Sequence, residues 1–290
     1  MRANASTYMH VVSRTTSGGG AGSRSKSKSM LTREAVLAAA DHEGLTPLSL
    51  AIKRLDRPEP DIEFDPQHYL YPASMIKVPL SLAALTLVQS GDLTLDQTFE
   101  VTPANMTAND KPSPLVPGYR SALSEIIELA ITISDNVATN MLFDIVGRER
   151  ATQIVHTQYG LTNTGFYRKL SGSEPLIADP GWDKVHRNTH NAGDAANVFE
   201  AIAGDRVPYA RLLRETLAKQ QFNNKLSGGL YPGDHFAHKT GDTDEVTHDG
   251  GILETDNGAA YVVVVYTGLE ATDANNARFA PFMSTIRRLM

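Results

Sequence analysis

Residues 74–89 limit the fold more than any other part of this 290-residue chain. The segment is almost continuously apolar, rich in Leu, Ala and Val, and followed by a Ser-Gly pair of the kind that ends helices. It is too long for a strand, and a helix that is apolar on all sides has to be covered on all sides. The segment therefore predicts a buried central helix inside a chain large enough to surround it.

Weaker patterns predict the elements around this helix. Apolar residues recur at helical spacing through the middle of the chain, and alternating or continuous apolar runs near the two ends predict strands. Four prolines within residues 94–119 and the irregular stretch 160–191 predict long loops. The remaining predicted helices are 31–39, 121–133, 137–146, 148–159, 192–203, 209–219 and 274–289, and the predicted strands are 47–55, 237–240, 250–254 and 259–267.

This order of elements predicts an α+β fold. Its parts are an antiparallel sheet flanked by helices, as in an α/β/α sandwich, and an all-helical subdomain at about residues 74–220, inserted between the sheet strands. Residues 30–290 are expected to form one domain. Residues 1–29 have the Gly, Ser and basic composition of a disordered linker or arm, and they lack the apolar run of a signal peptide. The compartment in which the protein works is left open.

Composition excludes several classes of function. The chain has 27 Lys and Arg against 33 Asp and Glu, a formal charge of −6, and no basic stripe with interleaved aromatics, so nucleic acid is not an expected partner. No apolar run is long enough to span a membrane. The absence of cysteine excludes disulfides and thiol nucleophiles. We expect a soluble monomer that acts on a small molecule without a cofactor.

The first candidate motif is Ser74 and Lys77, at the start of the central helix. Residues three apart share a helix face, so the hydroxyl and the amine are within reach of each other. A lysine activates a serine only if burial or a nearby cation lowers its pKa, and Met75, Ile76 and Val78 supply that burial. The same spacing also occurs in ordinary amphipathic helices, where the lysine extends to solvent.

Two further motifs carry polar side chains at the ends of predicted elements. Residues 134–136 (Ser-Asp-Asn) follow a predicted helix, where a plain helix-terminating turn would have the same composition. Residues 239–241 (Lys-Thr-Gly) lie at the end of a predicted strand, where the glycine lets a ligand approach the backbone closely. Each motif alone is compatible with an ordinary turn or strand edge.

Together, in this order and in these settings, the three motifs resemble those of class A β-lactamases and penicillin-binding proteins. Residues 71–77 and 133–140 are particularly similar to the class A branch, and the resemblance covers roughly residues 30–290. It implies an active-site-serine acyl hydrolase whose substrates are β-lactams or cell-wall peptides ending in D-alanyl-D-alanine. The domain of residues 30–290 would then be a serine β-lactamase-like catalytic domain.

The resemblance also implies roles for individual residues. Ser74 is similar to the acylated nucleophile, Lys77 to its general base or proton relay, and Ser134 to the hydroxyl that passes a proton to the leaving nitrogen. These three residues are the predicted catalytic group.

A second group is implied to bind the substrate. Asn136 would hold the substrate amide, Lys239 would supply positive charge, and Thr240 would contact the substrate carboxylate. Gly241 completes the third motif. The backbone N–H of Asp242, with that of the nucleophile, would form an oxyanion hole that stabilises the charge of the tetrahedral intermediate.

The residue that activates the deacylating water is ambiguous. An ungapped placement from Ser134 puts Leu170 at the position where class A enzymes carry a glutamate, as in PBP-A-type relatives. Four inserted residues would instead place Glu174 there. We favour Leu170, which predicts a long-lived acyl-enzyme, because the lost general-base contribution is typically ~10²–10⁴ in rate. A competent class A β-lactamase using Glu174, a non-catalytic β-lactam sensor and a small-ester esterase remain as alternatives.

Other polar residues are given less weight. Asp179 and Asp183 are interpreted as solvated loop charges and Asp194 as a helix-start residue. The arginine that class A enzymes commonly carry after the third motif is missing, and His248 is its only candidate replacement.

Two histidine pairs have spacings that could ligate a metal. They are His186 with His190 and His235 with His238, but no cluster of carboxylates or cysteines accompanies either pair. The sequence therefore predicts no metal site.

Overall fold

The computed structural model describes residues 30–172 and 176–290. The predicted linker or arm, residues 1–29, lies outside the described residues. In chain order the described helices and strands are α1 (Arg33–His42), β1 (Leu48–Arg54), β2 (Ile62–Phe64), a 3₁₀ turn (Ala73–Ile76), α2 (Lys77–Gln89), β3 (Thr98–Glu100), a second 3₁₀ turn (Pro103–Asn105), β4 (Arg120–Ala122), α3 (Leu123–Thr132), α4 (Asn136–Val146), α5 (Arg148–Tyr159), α6 (Ala192–Ala203), α7 (Ala210–Ala218), a third 3₁₀ turn (Leu226–Gly229), β5 (His235–Asp242), β6 (Thr247–Glu254), β7 (Ala260–Thr267), α8 (Asp273–Asn276) and α9 (Phe279–Arg287).

The main sheet has five strands in the order β2-β1-β7-β6-β5, and neighbouring strands are antiparallel throughout. The first two strands come from the N-terminal end of the chain and the other three from its C-terminal end. Strand β5 lies at one edge of the sheet and contacts the first 3₁₀ turn and α7. The α+β class with an antiparallel sheet flanked by helices is confirmed.

Apolar side chains pack on both faces of this sheet. In β7 the side chains of Val262 and Val264 join the core that contains α2, whereas those of Val263 and Val265 join the core formed with α1 and α9. Successive side chains of a strand point to opposite faces, so a strand buried on both faces is continuously apolar. This explains the unbroken valine run that the sequence shows here.

Helix α2 is the predicted central helix, and its residues from Lys77 to Leu87 are buried. It differs from the prediction at its start, because Ala73–Ile76 forms a 3₁₀ turn and the α-helix begins only at Lys77. Pro79 is accommodated because it lies in the first helical turn, where its missing N–H would have no intrahelical partner.

Three short strands and one helix break were not predicted. Strands β2, β3 and β4 have three residues each, too few for an alternating pattern to stand out. The predicted helix 274–289 is divided into α8 and α9. The division places Pro281 in the first turn of α9, where its ring does not clash with a preceding carbonyl. No helix in the described ranges is long and apolar enough to cross a membrane.

Candidate active site

Ser74 lies in a strained turn beside the edge strand β5. The preceding residue, Ala73, has a left-handed backbone with φ of 49°, a conformation that costs a non-glycine residue about 1 kcal/mol or more. A Cβ atom on Gly241 would lie 3.0 Å from the carbonyl oxygen of Pro72 and 3.2 Å from the nitrogen of Met75. The glycine of the third motif therefore lets the strand approach the serine-bearing turn closely.

Lys77 is fully buried at the start of α2, with its ammonium directed at the second motif. Its Nζ donates to the carbonyl oxygen of Ser134 at 2.5 Å, to Ser134 Oγ at 2.9 Å and to Asn136 Oδ1 at 2.9 Å. Burial, followed by the positive charge of Lys239, holds the pKa of Lys77 well below its usual value. The lowered pKa makes the neutral amine more accessible, and in that form Lys77 can take up a proton from a neighbouring hydroxyl.

Ser134 receives hydrogen bonds from two lysines. Its Oγ accepts from Lys77 Nζ and from Lys239 Nζ, each at 2.9 Å. A serine hydroxyl has two acceptor lone pairs and one donor proton, so both lone pairs are engaged and the proton is left to donate. Ser134 is partly exposed and has a left-handed backbone with φ of 53°. The arrangement can deliver a proton to a group bound at the surface.

Lys239 is fully buried on β5, and its Nζ also donates to the carbonyl oxygen of Thr240 at 2.8 Å. Burial lowers the pKa of Lys239 to about 7, although the negative charge of Asp242 acts in the opposite direction. The group therefore changes its charge close to neutral pH, and its titration alters the field at Ser134.

The loop between β3 and β4 positions the second motif. Asn109 Oδ1 accepts from the backbone N–H of Asn136 at 2.6 Å, and Asn109 Nδ2 donates to Asp135 Oδ1 at 3.1 Å. Asn136 Nδ2 in turn donates to the carbonyl oxygen of Ala108 at 2.9 Å. Asn109 was not predicted from the sequence, because nothing distinguishes it from other polar loop residues.

Thr240 and Asp242 lie on the other face of β5 from Lys239, because side chains alternate along a strand. Within the described residues the Thr240 hydroxyl makes no hydrogen bond. The Asp242 carboxylate instead pairs with Lys225, a buried residue that was not predicted and that follows α7 in an unremarkable polar loop. The oxyanion hole inferred for the backbone N–H groups remains a prediction.

Leu170 is held against helix α4 by one side chain. Asn140 Oδ1 accepts from the Leu170 N–H at 2.7 Å, and Asn140 Nδ2 donates to the Leu170 carbonyl at 2.9 Å. Asn140 and Asn136 are four residues apart and so share a helix face. That spacing was available in the sequence and could have identified Asn140. The Leu170 backbone is consequently placed against α4, one helical turn beyond Asn136, and only 8% of the residue's surface is exposed.

The interpretation of Asp179 as a solvated charge is wrong. Its side chain is only 2% exposed and pairs with the Arg148 guanidinium at 2.7 Å, while also accepting from the Lys169 N–H at 2.9 Å. The ion pair fastens the loop of residues 160–191 to α5. Asp183 is exposed, as predicted, and Asp194 lies in the first turn of α6, also as predicted.

Glu174, the alternative deacylation residue, lies outside the described residues, which omit positions 173–175. The alignment that places a carboxylate at this position is therefore untested.

His248 does not replace the missing arginine. It is fully buried, its Nε2 bonds the Tyr71 carbonyl at 2.8 Å, and its ring stacks on Tyr266 at 4.0 Å. Burial lowers its pKa to about 4, so it is neutral at physiological pH. A neutral, enclosed imidazole supplies no positive charge to a substrate carboxylate.

The two histidine pairs bond to separate partners. His186 Nδ1 contacts Asp183 at 2.5 Å, and His190 Nδ1 contacts Thr164 at 2.7 Å. In the second pair, His238 Nδ1 contacts Asp249 at 2.7 Å. Among residues 30–172 and 176–290, no group of three or more metal-ligating side chains comes together.

Comparisons with known proteins give the family and the fold of the chain. The model of the beta-lactamase enzyme family matches residues 31–288. Beta-lactamase regulatory protein BlaB of Streptomyces cacaoi is 26% identical over 287 residues, covering 82% of this chain and 90% of that protein.

Two solved structures extend the comparison. A beta-lactamase from Sphaerobacter thermophilus is 22% identical, with a TM-score of 0.75 and coverage of 88% of this chain and 96% of its own, and it supports the fold alone. A variant of PBP-A in an acyl-enzyme complex with penicillin G is 25% identical, with a TM-score of 0.74 and coverage of 88% and 95%.

Proposed function

The chain belongs to the beta-lactamase enzyme family and is a class A-like serine hydrolase, and on this basis we propose that Ser74 is acylated by β-lactams or D-alanyl-D-alanine-type peptides and is released slowly. Lys77 accepts the Ser74 proton during attack. Ser134 donates its proton to the leaving nitrogen. Asn136 and Thr240 bind the substrate, and Lys239 supplies positive charge to the site.

The hydrogen bonds among the motifs support the acylation half of this proposal. Two buried lysines converge on Ser134 Oγ, at 2.9 Å each, so a proton taken by one lysine can pass through this hydroxyl. The lowered pKa of Lys77 leaves it able to accept the nucleophile's proton. Because these groups are held before substrate arrives, little reorganisation is needed during attack.

One observation supports the slow deacylation: Asn140, one helical turn beyond Asn136, holds the backbone of Leu170 through hydrogen bonds of 2.7 and 2.9 Å. An aliphatic side chain cannot take a proton from water. Hydrolysis of the acyl-enzyme would then lack a general base, whose contribution is typically ~10²–10⁴ in rate. The acyl-enzyme of PBP-A with penicillin G is of a leucine-to-glutamate variant, so it supports acylation of the serine and not its slow release.

Two other functions remain as candidates. A competent class A β-lactamase would use Glu174 as its base. A protein that stays acylated as a signal is favoured by the similarity to BlaB, which is named a regulatory protein. The two candidates predict opposite lifetimes for the acyl-enzyme, so one measurement separates them.

The test is to incubate the full chain with penicillin G and with a chromogenic cephalosporin, following intact mass and product release together. We expect a stoichiometric adduct that persists for many minutes and product release that stops after about one equivalent. Ser74→Ala should form no adduct. Ser81→Ala, which removes a buried hydroxyl without a hydrogen-bond partner from α2, is the matched control and should be acylated normally.

Two results would contradict the proposal. An adduct that survives in Ser74→Ala would exclude Ser74 as the nucleophile. Rapid multiple turnover that is lost in Glu174→Gln would replace slow deacylation with the β-lactamase alternative.

A further inference from the structure

A buried lysine adjoins the substrate-binding strand without belonging to any of the three motifs. Lys225 is fully buried, and its Nζ donates to Asp242 Oδ1 and, at 2.9 Å, to the His248 carbonyl. The ring of Phe279 lies 5.7 Å from the same nitrogen. An ammonium removed from water in this way needs a charged partner, and Asp242 is that partner.

Asp242 places the Lys225–Asp242 ion pair next to Thr240, a residue that the proposed function assigns to substrate binding. Its side chain shares a strand face with Thr240, two residues earlier, whose hydroxyl makes no hydrogen bond within the described residues. The hydrogen bonds from Lys225 and Thr247 both go to Oδ1, and the Asp242 side chain is 37% exposed. A carboxylate therefore lies next to the hydroxyl that the proposed function assigns to the substrate carboxylate.

Three other basic residues are engaged with other groups. Lys239 is directed to the opposite face, where it bonds Ser134. Arg187 is paired with Glu245 at 3.0 Å. His248 is enclosed and bonded to a carbonyl oxygen. Lys225 could attract a substrate carboxylate at this position, but its ammonium is already paired with the Asp242 carboxylate.

We propose that Asp242 is a specificity-determining residue that neutralises Lys225 and so reduces the preference of the site for acyl substrates with a carboxylate beside Thr240. This inference rests on the proposed function, because it concerns the same acylation site. Penicillins still acylate Ser74, but their carboxylate gains less from this site than it would beside an uncompensated Lys225.

The effects on Lys239 support the idea that the pair acts as a nearly neutral unit. Asp242 raises the pKa of Lys239, whereas Lys225 lowers it. Removing only the acidic member would leave the positive member uncompensated. A substrate carboxylate could then take the place of Asp242 and gain a charge-assisted hydrogen bond in place of a repulsive neighbour.

The test compares penicillin G with its methyl ester, which has the same ring without the carboxylate charge. Second-order rates of Ser74 acylation are measured by intact mass for the wild type, Asp242→Ala and Asp242→Asn. The asparagine variant retains an acceptor for Lys225 and Thr247, so it tests the charge even if the alanine variant is unstable. We expect the penicillin-to-ester rate ratio to rise about tenfold in both, the effect of one charge-assisted hydrogen bond.

Two controls give the test its specificity. Asp244→Ala removes an exposed negative charge nearby without touching Lys225, and its ratio should stay within about twofold of wild type. Adding Lys225→Met to Asp242→Ala should abolish the gain. An unchanged ratio in both Asp242 variants, or an equal rise in Asp244→Ala, would overturn the inference. Absence of any Ser74 adduct with either probe would instead refute the proposed function.

Discussion

The two sides of the candidate site are built in different ways. On one side, Lys77 and Lys239 are enclosed in the core and converge on Ser134, so three separate elements are joined by short hydrogen bonds. On the other side, the loop that contains Leu170 is held by the Asp179 ion pair and by hydrogen bonds to Asn140. The first side contains groups that can exchange protons, whereas Leu170 on the described part of the second side cannot.

The two sides correspond to the two steps of acyl transfer, namely acylation and deacylation. In the proposed function, acylation depends on two buried lysines whose pKa values are lowered by the surrounding core, so we expect the replacement of either lysine to reduce it. Deacylation depends on the chemistry of one side chain on a backbone that is already held in place. We therefore expect substitutions on the first side to remove function and a substitution on the second side to add it.

The largest effect is expected from Lys77→Met, which keeps the length and apolar stem of the side chain but removes the amine. Acylation should slow by about 10²–10⁴-fold, the usual contribution of a general base. Stopped-flow or intact-mass rates with penicillin G would measure this loss. Lys219→Met, in an exposed ion pair, is the control. A rate within threefold of wild type would show that Lys77 does not handle the proton.

The next effect is a gain, expected from Leu170→Glu. A carboxylate on the clamped backbone should accelerate release of the acyl group by about a hundredfold, because it can activate water. Leu170→Gln has a similar size without a base and should leave the adduct long-lived. The decay of the adduct mass after removal of free penicillin measures both. Equal decay in the two variants would mean that this position does not face the ester.

A smaller effect is expected from pH. With a pKa of about 7, Lys239 is charged below neutrality and uncharged above it, so acylation should fall about tenfold between pH 7 and 8.5. Lys239→Arg stays charged and should lose this alkaline decline. The free energy of unfolding should change in the opposite direction. Between pH 7 and 10.5 Lys239 is protonated in the unfolded chain but largely neutral in the folded one, so the wild type should become more stable as the pH rises through that range. A decline that persists in the arginine variant would assign it to another group.

The smallest effect on acylation is expected from Asn140→Ala. The substitution leaves the buried N–H and carbonyl of Leu170 without partners, which costs about 1–3 kcal/mol of unfolding free energy. The melting temperature should fall by about 2–4 °C per kcal/mol, while acylation by penicillin G changes less than threefold. Asn140→Asp keeps one of the two hydrogen bonds and should be intermediate. A fall in the acylation rate of more than threefold would show that acylation also depends on how Leu170 is held.

The sequence predicted the fold well where patterns are long. The buried helix at residues 74–89 and the valine run of β7 are periodic or continuous over many residues, and both appear in the structure within a few residues of their expected bounds. The short strands and the division of the last helix were missed, because three residues carry no period and one proline acts through local sterics.

In the candidate site, too, some features could be predicted from the sequence and others could not. The three motifs could be recognised because each lies within a few consecutive residues and marks its own turn or strand. An alignment without insertions also matched Leu170 to the position at which class A enzymes carry their glutamate. It could not determine which charges would be enclosed together.

Only the tertiary structure decided the electrostatics. The sequence predicts a solvated charge at Asp179 and offers His248 as the one candidate for the missing arginine, yet the first is paired with Arg148 and the second is enclosed and neutral. No sequence pattern singles out Lys225, which folding places against Asp242. A pKa and an ion pair depend on groups that are distant in sequence and on the water they exclude, and neither is encoded in any short stretch of the chain.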